Sequence, residues 1–148
     1  MEYLINNHIK DLKPRVADAA RNNHVIYLDR NELPLPPSPH VIQAIADTAA
    51  TVNRYPDTLG EPLRKVLAEY AGVSEKEIII GNGSDDLIEL VAKVFIAPQK
   101  EVLIPNPTFL VYSLVTQIMG GNPIVIKRTD NFDLNIQEII DKVTLATK

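Results

Sequence analysis

Glu77-Ile78-Ile79-Ile80-Gly81-Asn82-Gly83-Ser84-Asp85-Asp86-Leu87-Ile88-Glu89-Leu90 is the stretch on which the fold turns. The isoleucine run reads as a short strand, Glu77 to Ile80, because β-branched side chains suit a pleated surface. Past the glycines the period changes: Leu87, Ile88, Val91, Val94 and Phe95 recur at helical spacing, so Ser84 to Ile96 reads as a helix with those residues inward. Downstream, Glu101 to Ile104 is a second strand. Thr108 to Met119 is a helix ended by Gly120-Gly121, Pro123 to Ile126 a third strand, and about Ile136 to Val143 a last helix. Strands alternating with helices over short links specify an α/β domain whose sheet is parallel, with right-handed crossovers.

Upstream the texture differs. Residues 1–38 read as an arm, since after a short amphipathic stretch from Tyr3 to Leu12 they are broken by Pro14, Pro34, Pro36 and Pro37, with Pro39 just beyond. Each proline fixes its own φ and biases its predecessor towards extended geometry. Val25 to Leu28 has the makings of a short strand. Ser38-Pro39 then opens a helix, with serine as N-cap and proline in the first turn, and Val41, Ile45, Ala49 and Val52 share a face. A polar break, Asn53 to Thr58, precedes a second helix that begins near Glu61-Pro62, carries Leu63, Val66, Leu67 and Tyr70, and stops at Gly72.

Composition narrows the function. At 148 residues the chain is long enough to bury a core without metal or disulfide staples. It has no cysteine, which removes thiol catalysis, disulfides and thiolate metal sites together. The net charge is −4 with lysines and arginines scattered singly, so no basic stripe for nucleic acid exists. No apolar run approaches the ~18 residues of a membrane span, and the polar start has no leader pattern; a cytoplasmic setting is expected. His8, His24 and His40 show no metal spacing.

The turn itself carries the chemistry. Unsatisfied N–H groups of a helix's first turn and its positive dipole end attract anions, and glycines let a backbone close on a phosphate. Gly81 to Asp86 is neither a Walker loop, lacking Gly-Lys-Ser/Thr, nor a dinucleotide fingerprint, lacking the third glycine. Taken alone it reads equally as a tight turn with Ser84 as N-cap and Asp85 and Asp86 favouring the dipole.

Further segments agree in register with it. Leu28-Asp29-Arg30-Asn31-Glu32, Pro37-Ser38-Pro39, Asn53-Arg54-Tyr55-Pro56-Asp57, the Gly81 to Asp86 turn, and Pro105-Asn106-Pro107-Thr108-Phe109 with Tyr112 closely resemble, in order and spacing, the N-terminal part of histidinol-phosphate aminotransferases. These are class I/II enzymes of pyridoxal-phosphate fold type I. The resemblance covers about residue 26 to the end. It implies part of a three-layer large domain with a mainly parallel sheet over residues 39–148, preceded by the extended arm 1–38.

The resemblance also implies site roles. The backbone at Gly83, Ser84 and Asp85 would hold the phosphate of non-covalently bound pyridoxal 5'-phosphate. Phe109, where tyrosine is usual, would stack on the cofactor ring, for which a flat ring suffices. Tyr55 would reach across a homodimer interface to the partner's cofactor phosphate, and Asn31 and Glu32 would meet the substrate. The implied reaction is amino transfer between glutamate or 2-oxoglutarate and a phosphorylated imidazole substrate in histidine biosynthesis. The arm departs from the family's Asn-Glu-Asn-Pro-Tyr-Gly-Pro at Leu33, Leu35 and Pro36, so related aromatic aminotransferases and threonine-phosphate decarboxylases fit as well, as does a non-catalytic module that holds a phosphorylated ligand.

Transamination needs a lysine amine to take up the cofactor's aldehyde and shuttle the proton, and an acid to keep the pyridine nitrogen protonated. None of Lys10, Lys13, Lys65, Lys76, Lys93, Lys100, Lys127, Lys142 and Lys148 falls in the matching context. The expectation is therefore a truncated chain with no catalytic residue of its own, inactive alone. Its sheet edge and apolar face would lie uncovered and favour a dimer or higher self-association.

Overall fold

The computed structural model describes residues 4–12, 26, 28 and 31–148. The strand expected over Val25 to Leu28 falls largely outside those residues, as do Pro14, Asp29 and Arg30 of the arm. The described chain is mixed α/β, with five α-helices and two parallel strands. It divides into two compact units, Pro14–Glu75 and the combination of Met1–Lys13 with Lys76–Lys148.

The first of these units holds two helices. Helix α1 spans Pro39–Thr48. Ser38 caps it as expected, its Oγ accepting the N–H of Val41 at 3.4 Å, and Pro39 takes the first turn. The expected run to Val52 instead tightens into a 3-10 turn at Ala49–Thr51. There Thr48 Oγ1 donates to Ala44 O and Thr51 Oγ1 to Thr48 O, both at 2.8 Å, drawing hydroxyls onto carbonyls of the last turns. Helix α2, Glu61–Ala71, starts where Asp57 Oδ2 accepts the Glu61 N–H at 2.7 Å. It ends at Gly72, whose φ of 69° closes the helix by an N–H bond to Ala68 O.

The other unit carries helix α3 (Gly83–Phe95), strand β1 (Glu101–Asn106), helix α4 (Val111–Ile118), strand β2 (Asn122–Lys127) and helix α5 (Ile136–Asp141). The strands pair in parallel from Glu101 opposite Asn122 to Asn106 opposite Lys127. Ala92 of α3 and Val111 and Val115 of α4 form the buried cluster, with Ile88, Ile96 and Met119 against it. Ile104 and Ile126 are buried on the strands, Ile126 completely.

One expected strand does not form. Residues Glu75–Glu77 make a 3-10 turn and residues 78–80 run on without a ladder, Ile79 being 74% exposed. A β-branched run becomes a strand only when a partner edge meets it. The outer edge of β1 is instead met at its first residue by the end of the chain: Glu101 N–H donates to Ala146 O and Lys148 N–H to Glu101 O, both at 3.0 Å, around a parallel bridge between Glu101 and Thr147. Along the described part of the amino-terminal stretch, the expected short amphipathic stretch from Tyr3 to Leu12 includes a 3-10 turn at Asn7–Ile9. It docks on α4, where His8 Nε2 hydrogen-bonds Ile118 O at 3.1 Å.

Alternation on β2 gives a stability test. Ile126→Ala is expected to destabilise the chain by ~2–5 kcal/mol, whereas Val125→Thr, at a position 52% exposed, should stay within about 0.5 kcal/mol; urea denaturation of both variants measures the contrast.

Candidate functional site

The Gly81 to Asp86 turn is built around a closed set of local bonds. Asp86 Oδ2 accepts the Asn82 N–H at 2.9 Å, and Gly83 N–H donates to Gly81 O at 2.9 Å. Asn82, not Ser84, is therefore the N-cap of α3, and its side chain makes no capping bond. The reason is the carboxylate of Asp86, which reaches back and does the capping from inside the helix. Gly83 stands at φ 82°, a left-handed conformation that suits glycine alone, with open space where a Cβ would go. Gly81 is needed for another reason. A Cβ there would lie 2.7 Å from Leu87 Cδ2 and 2.9 Å from Leu87 Cγ.

This arrangement settles which donors remain. The first N–H groups of an α-helix have no intrahelical acceptor. Asn82 and Gly83 spend theirs locally, so those of Ser84 and Asp85, at the second and third helical positions, are the ones left over. Both residues are exposed. Two adjacent amide donors at a positive dipole end suit an anion, and tying Asp86 to Asn82 keeps one of the two neighbouring carboxylates turned onto the protein.

Phe109 lies between β1 and α4, 40% exposed, with its ring perpendicular to that of Tyr112 (88°, centroids 6.2 Å apart). Edge-to-face contact braces an aromatic ring while leaving surface for a ligand. Tyr112 and Ser84 line one groove of about 450 Å³ between α3 and α4, whose walls are otherwise largely apolar, with Leu87, Val91 and Val115 among them. The structure thus brings the helix start at Ser84 and Asp85 to the same end of this unit as the Phe109–Tyr112 pair. Tyr55, Asn31 and Glu32 belong to the Pro14–Glu75 unit. Tyr55 is fully exposed there, and Asn31 adopts a left-handed φ of 52°.

Two of the described lysines lie in ion pairs with glutamates. Lys93 Nζ lies 2.8 Å from Glu89 Oε1 on the surface of α3. That hydrogen bond, and then the Glu89 charge, raise its proton affinity. A nucleophilic amine needs the opposite shift. Lys142 is tied to Glu138 at 2.9 Å and to Val125 O at 3.1 Å. Among the described residues no group of three or more His, Cys, Asp or Glu could hold a metal ion, and no helix is long and apolar enough to cross a membrane.

Sequence reasoning placed Asp86 at the dipole end of the helix without its bond to the Asn82 N–H, and it missed one residue that shapes this region. Arg128, which holds Pro107 O from 21 residues away, has no local signal.

A family model described as aminotransferase class I and II matches residues 23–148. The chain belongs to this family. Among curated relatives, the histidinol-phosphate aminotransferase of Pelagibacter ubique is 34% identical over 140 residues, which is 95% of this chain and 39% of that protein. That of Desulfotalea psychrophila is 39% identical over 123 residues, 83% of this chain and 32% of that protein. The chain therefore spans between a third and two fifths of the length of these family members. Among solved structures, the histidinol-phosphate aminotransferase of Sinorhizobium meliloti in complex with pyridoxal-5'-phosphate superposes with a TM-score of 0.62 at 24% identity, over 64% of this chain and 26% of that one. N-succinyldiaminopimelate aminotransferase of Mycobacterium tuberculosis gives 0.69 at 26% identity, over 75% and 32%. The described fold thus matches part of the fold of family members, which use pyridoxal 5'-phosphate.

The steric argument for Gly81 is directly testable. Gly81→Ala should destabilise the chain by ~1–3 kcal/mol through overpacking. In a Leu87→Ala background, where the clashing atoms are gone, thermal denaturation should show that penalty largely relieved.

Proposed function

We propose that these 148 residues supply the phosphate cradle and the ring platform of a pyridoxal-phosphate-dependent aminotransferase of the histidinol-phosphate type. The substrate pair in this reading is glutamate or 2-oxoglutarate and a phosphorylated imidazole compound. The observation that carries the reading is the pair of leftover N–H groups at Ser84 and Asp85, beside an exposed, braced aromatic ring at Phe109. Family membership and the resemblance to histidinol-phosphate aminotransferases support the substrate class.

In this reading residues 39–148 are a portion of the three-layer, mainly parallel large domain, and residues 1–38 its arm. When bound, the cofactor supplies an aldehyde that takes up the amino group and a pyridine ring that withdraws electrons from the reacting carbon. The chain's own residues do the holding. The amides of Gly83, Ser84 and Asp85 surround the phosphate, with the Ser84 and Asp85 N–H groups donating, and the face of Phe109 fixes the ring plane. Tyr55 of a second copy adds a hydroxyl donor across a homodimer interface. Asn31 and Glu32 meet the substrate. The exposed apolar residues Val41, Ile45 and Val52 of the α1 region and Leu63 and Val66 of α2 support self-association.

None of the lysines of the sequence stands in the family's context for the cofactor-linking amine, so the 148-residue polypeptide is expected to bind the cofactor without turning it over. Titration with pyridoxal 5'-phosphate should show saturable binding. Ser84→Pro deletes one donor at a first-turn position that tolerates proline, and should weaken binding roughly tenfold or more, as loss of a charge-assisted hydrogen bond does. With glutamate and 2-oxo acid present, no amino transfer should be detected; measurable turnover, or binding indifferent to Ser84→Pro, would overturn this assignment.

A further inference from the structure

Arg128 stands immediately after β2, and its interactions reach backwards across the end of the sheet. Its backbone N–H donates to Asn106 O at 3.2 Å, extending the ladder one step beyond the last strand pair. Its side chain then divides: Nε donates to Pro107 O at 2.9 Å, and Nη1 donates to Phe132 O at 2.9 Å. One residue therefore fastens the exit of β1, the exit of β2 and the turn that follows. That turn is itself closed by bonds between Thr129 and Asp133 and from Phe132 N–H to Thr129 O. Phe132 keeps a left-handed φ of 64° while its carbonyl accepts the guanidinium, a conformation uncommon for a bulky side chain and retained only where surroundings hold it.

Pro107 is two residues from Phe109. The segment between β1 and α4 is short, and among its described bonds the one from Arg128 Nε is the side-chain anchor on the β1 side, while Tyr112 N–H to Phe109 O and the edge-to-face contact with Tyr112 hold the α4 side. We propose that Arg128 is a positioning residue for the ring platform: by gripping Pro107 O it fixes where Phe109 presents its face to the bound cofactor. This inference rests on the assignment of Phe109 under the proposed function. Arg128 touches neither ring and acts through the main chain. Arginine is required because its Nε–H and Nη1–H lie in one rigid plane and hold two carbonyls of different segments at a set separation. A lysine offers a single mobile ammonium and meets one of them at a time.

The test uses the 148-residue chain, hydrogen exchange read peptide by peptide, and the Kd for pyridoxal 5'-phosphate. Arg128→Ala and Arg128→Lys should both raise deuterium uptake across residues 107–112 and weaken pyridoxal 5'-phosphate binding by roughly tenfold, the loss also expected for Phe109→Ala from one aromatic contact. Arg128→Lys keeps the charge, most of the stem and the backbone bond to Asn106, so it reports on the fork even where the alanine variant fails to fold. Unchanged uptake over 107–112 in Arg128→Lys, or a rise spread evenly over the chain with α5 included, would overturn the proposal. So would a normal Kd in Arg128→Lys alongside a weakened one in Phe109→Ala. A normal Kd in Phe109→Ala defeats the assignment of Phe109 itself, and the positioning role falls with it.

Discussion

Two strands that pair in parallel must finish at the same end of their sheet, and the site follows from that constraint. Because β1 and β2 run in register from Glu101 opposite Asn122 to Asn106 opposite Lys127, the segment leaving β1 and the residue leaving β2 emerge side by side. Arg128 can therefore grip Pro107. The helices joined to such strands by short links return antiparallel to them, so helix starts gather at the same end. Ser84 and Tyr112 line one groove for that reason. Ligands of open α/β sheets bind outside the carboxyl ends of the strands, and here the candidate donors and the candidate ring stand together at that end.

The glycine turn shows how few bonds are needed to aim an anion site. A helix start offers several orphan donors, and a ligand meets those the protein leaves unused. Asp86 takes the Asn82 N–H, Gly81 O takes that of Gly83, and the remaining pair belongs to Ser84 and Asp85, both exposed. The side chain of Leu87 crowds a Cβ at position 81, while the backbone angle favours glycine at 83. The two glycines look alike in the sequence and serve unrelated physical ends. The same local closure turns the Asp86 carboxylate onto an amide.

The lysines make the complementary point. Lys93 and Lys142 sit in helical i,i+4 pairs with glutamates, and the hydrogen bond and charge of Glu89 raise the proton affinity of Lys93. Holding a phosphate and a ring needs only backbone, dipole and a flat face. Forming a bond to the cofactor needs an amine whose proton is easily lost, which the pairing of Lys93 with Glu89 opposes.

Much of this was legible in the linear sequence, because it depends on neighbours a few residues apart. Helical periodicity marked α1 to α5, Ser38-Pro39 and Gly72 marked ends that the structure bears out, and the turn at 81–86 marked the start of α3, where spare N–H groups lie. Family membership was readable because several short motifs kept their order. Tertiary structure decided what depends on partners distant in the chain. Glu77 to Ile80 has every local property of a strand and is not one, since among the described residues no partner edge meets it. Which glycine was steric and which conformational, and that Arg128 fastens Pro107, also waited on the fold. Propensity is a property of a segment, whereas a ladder, a clash or a clamp exists only between two segments that the fold has brought together.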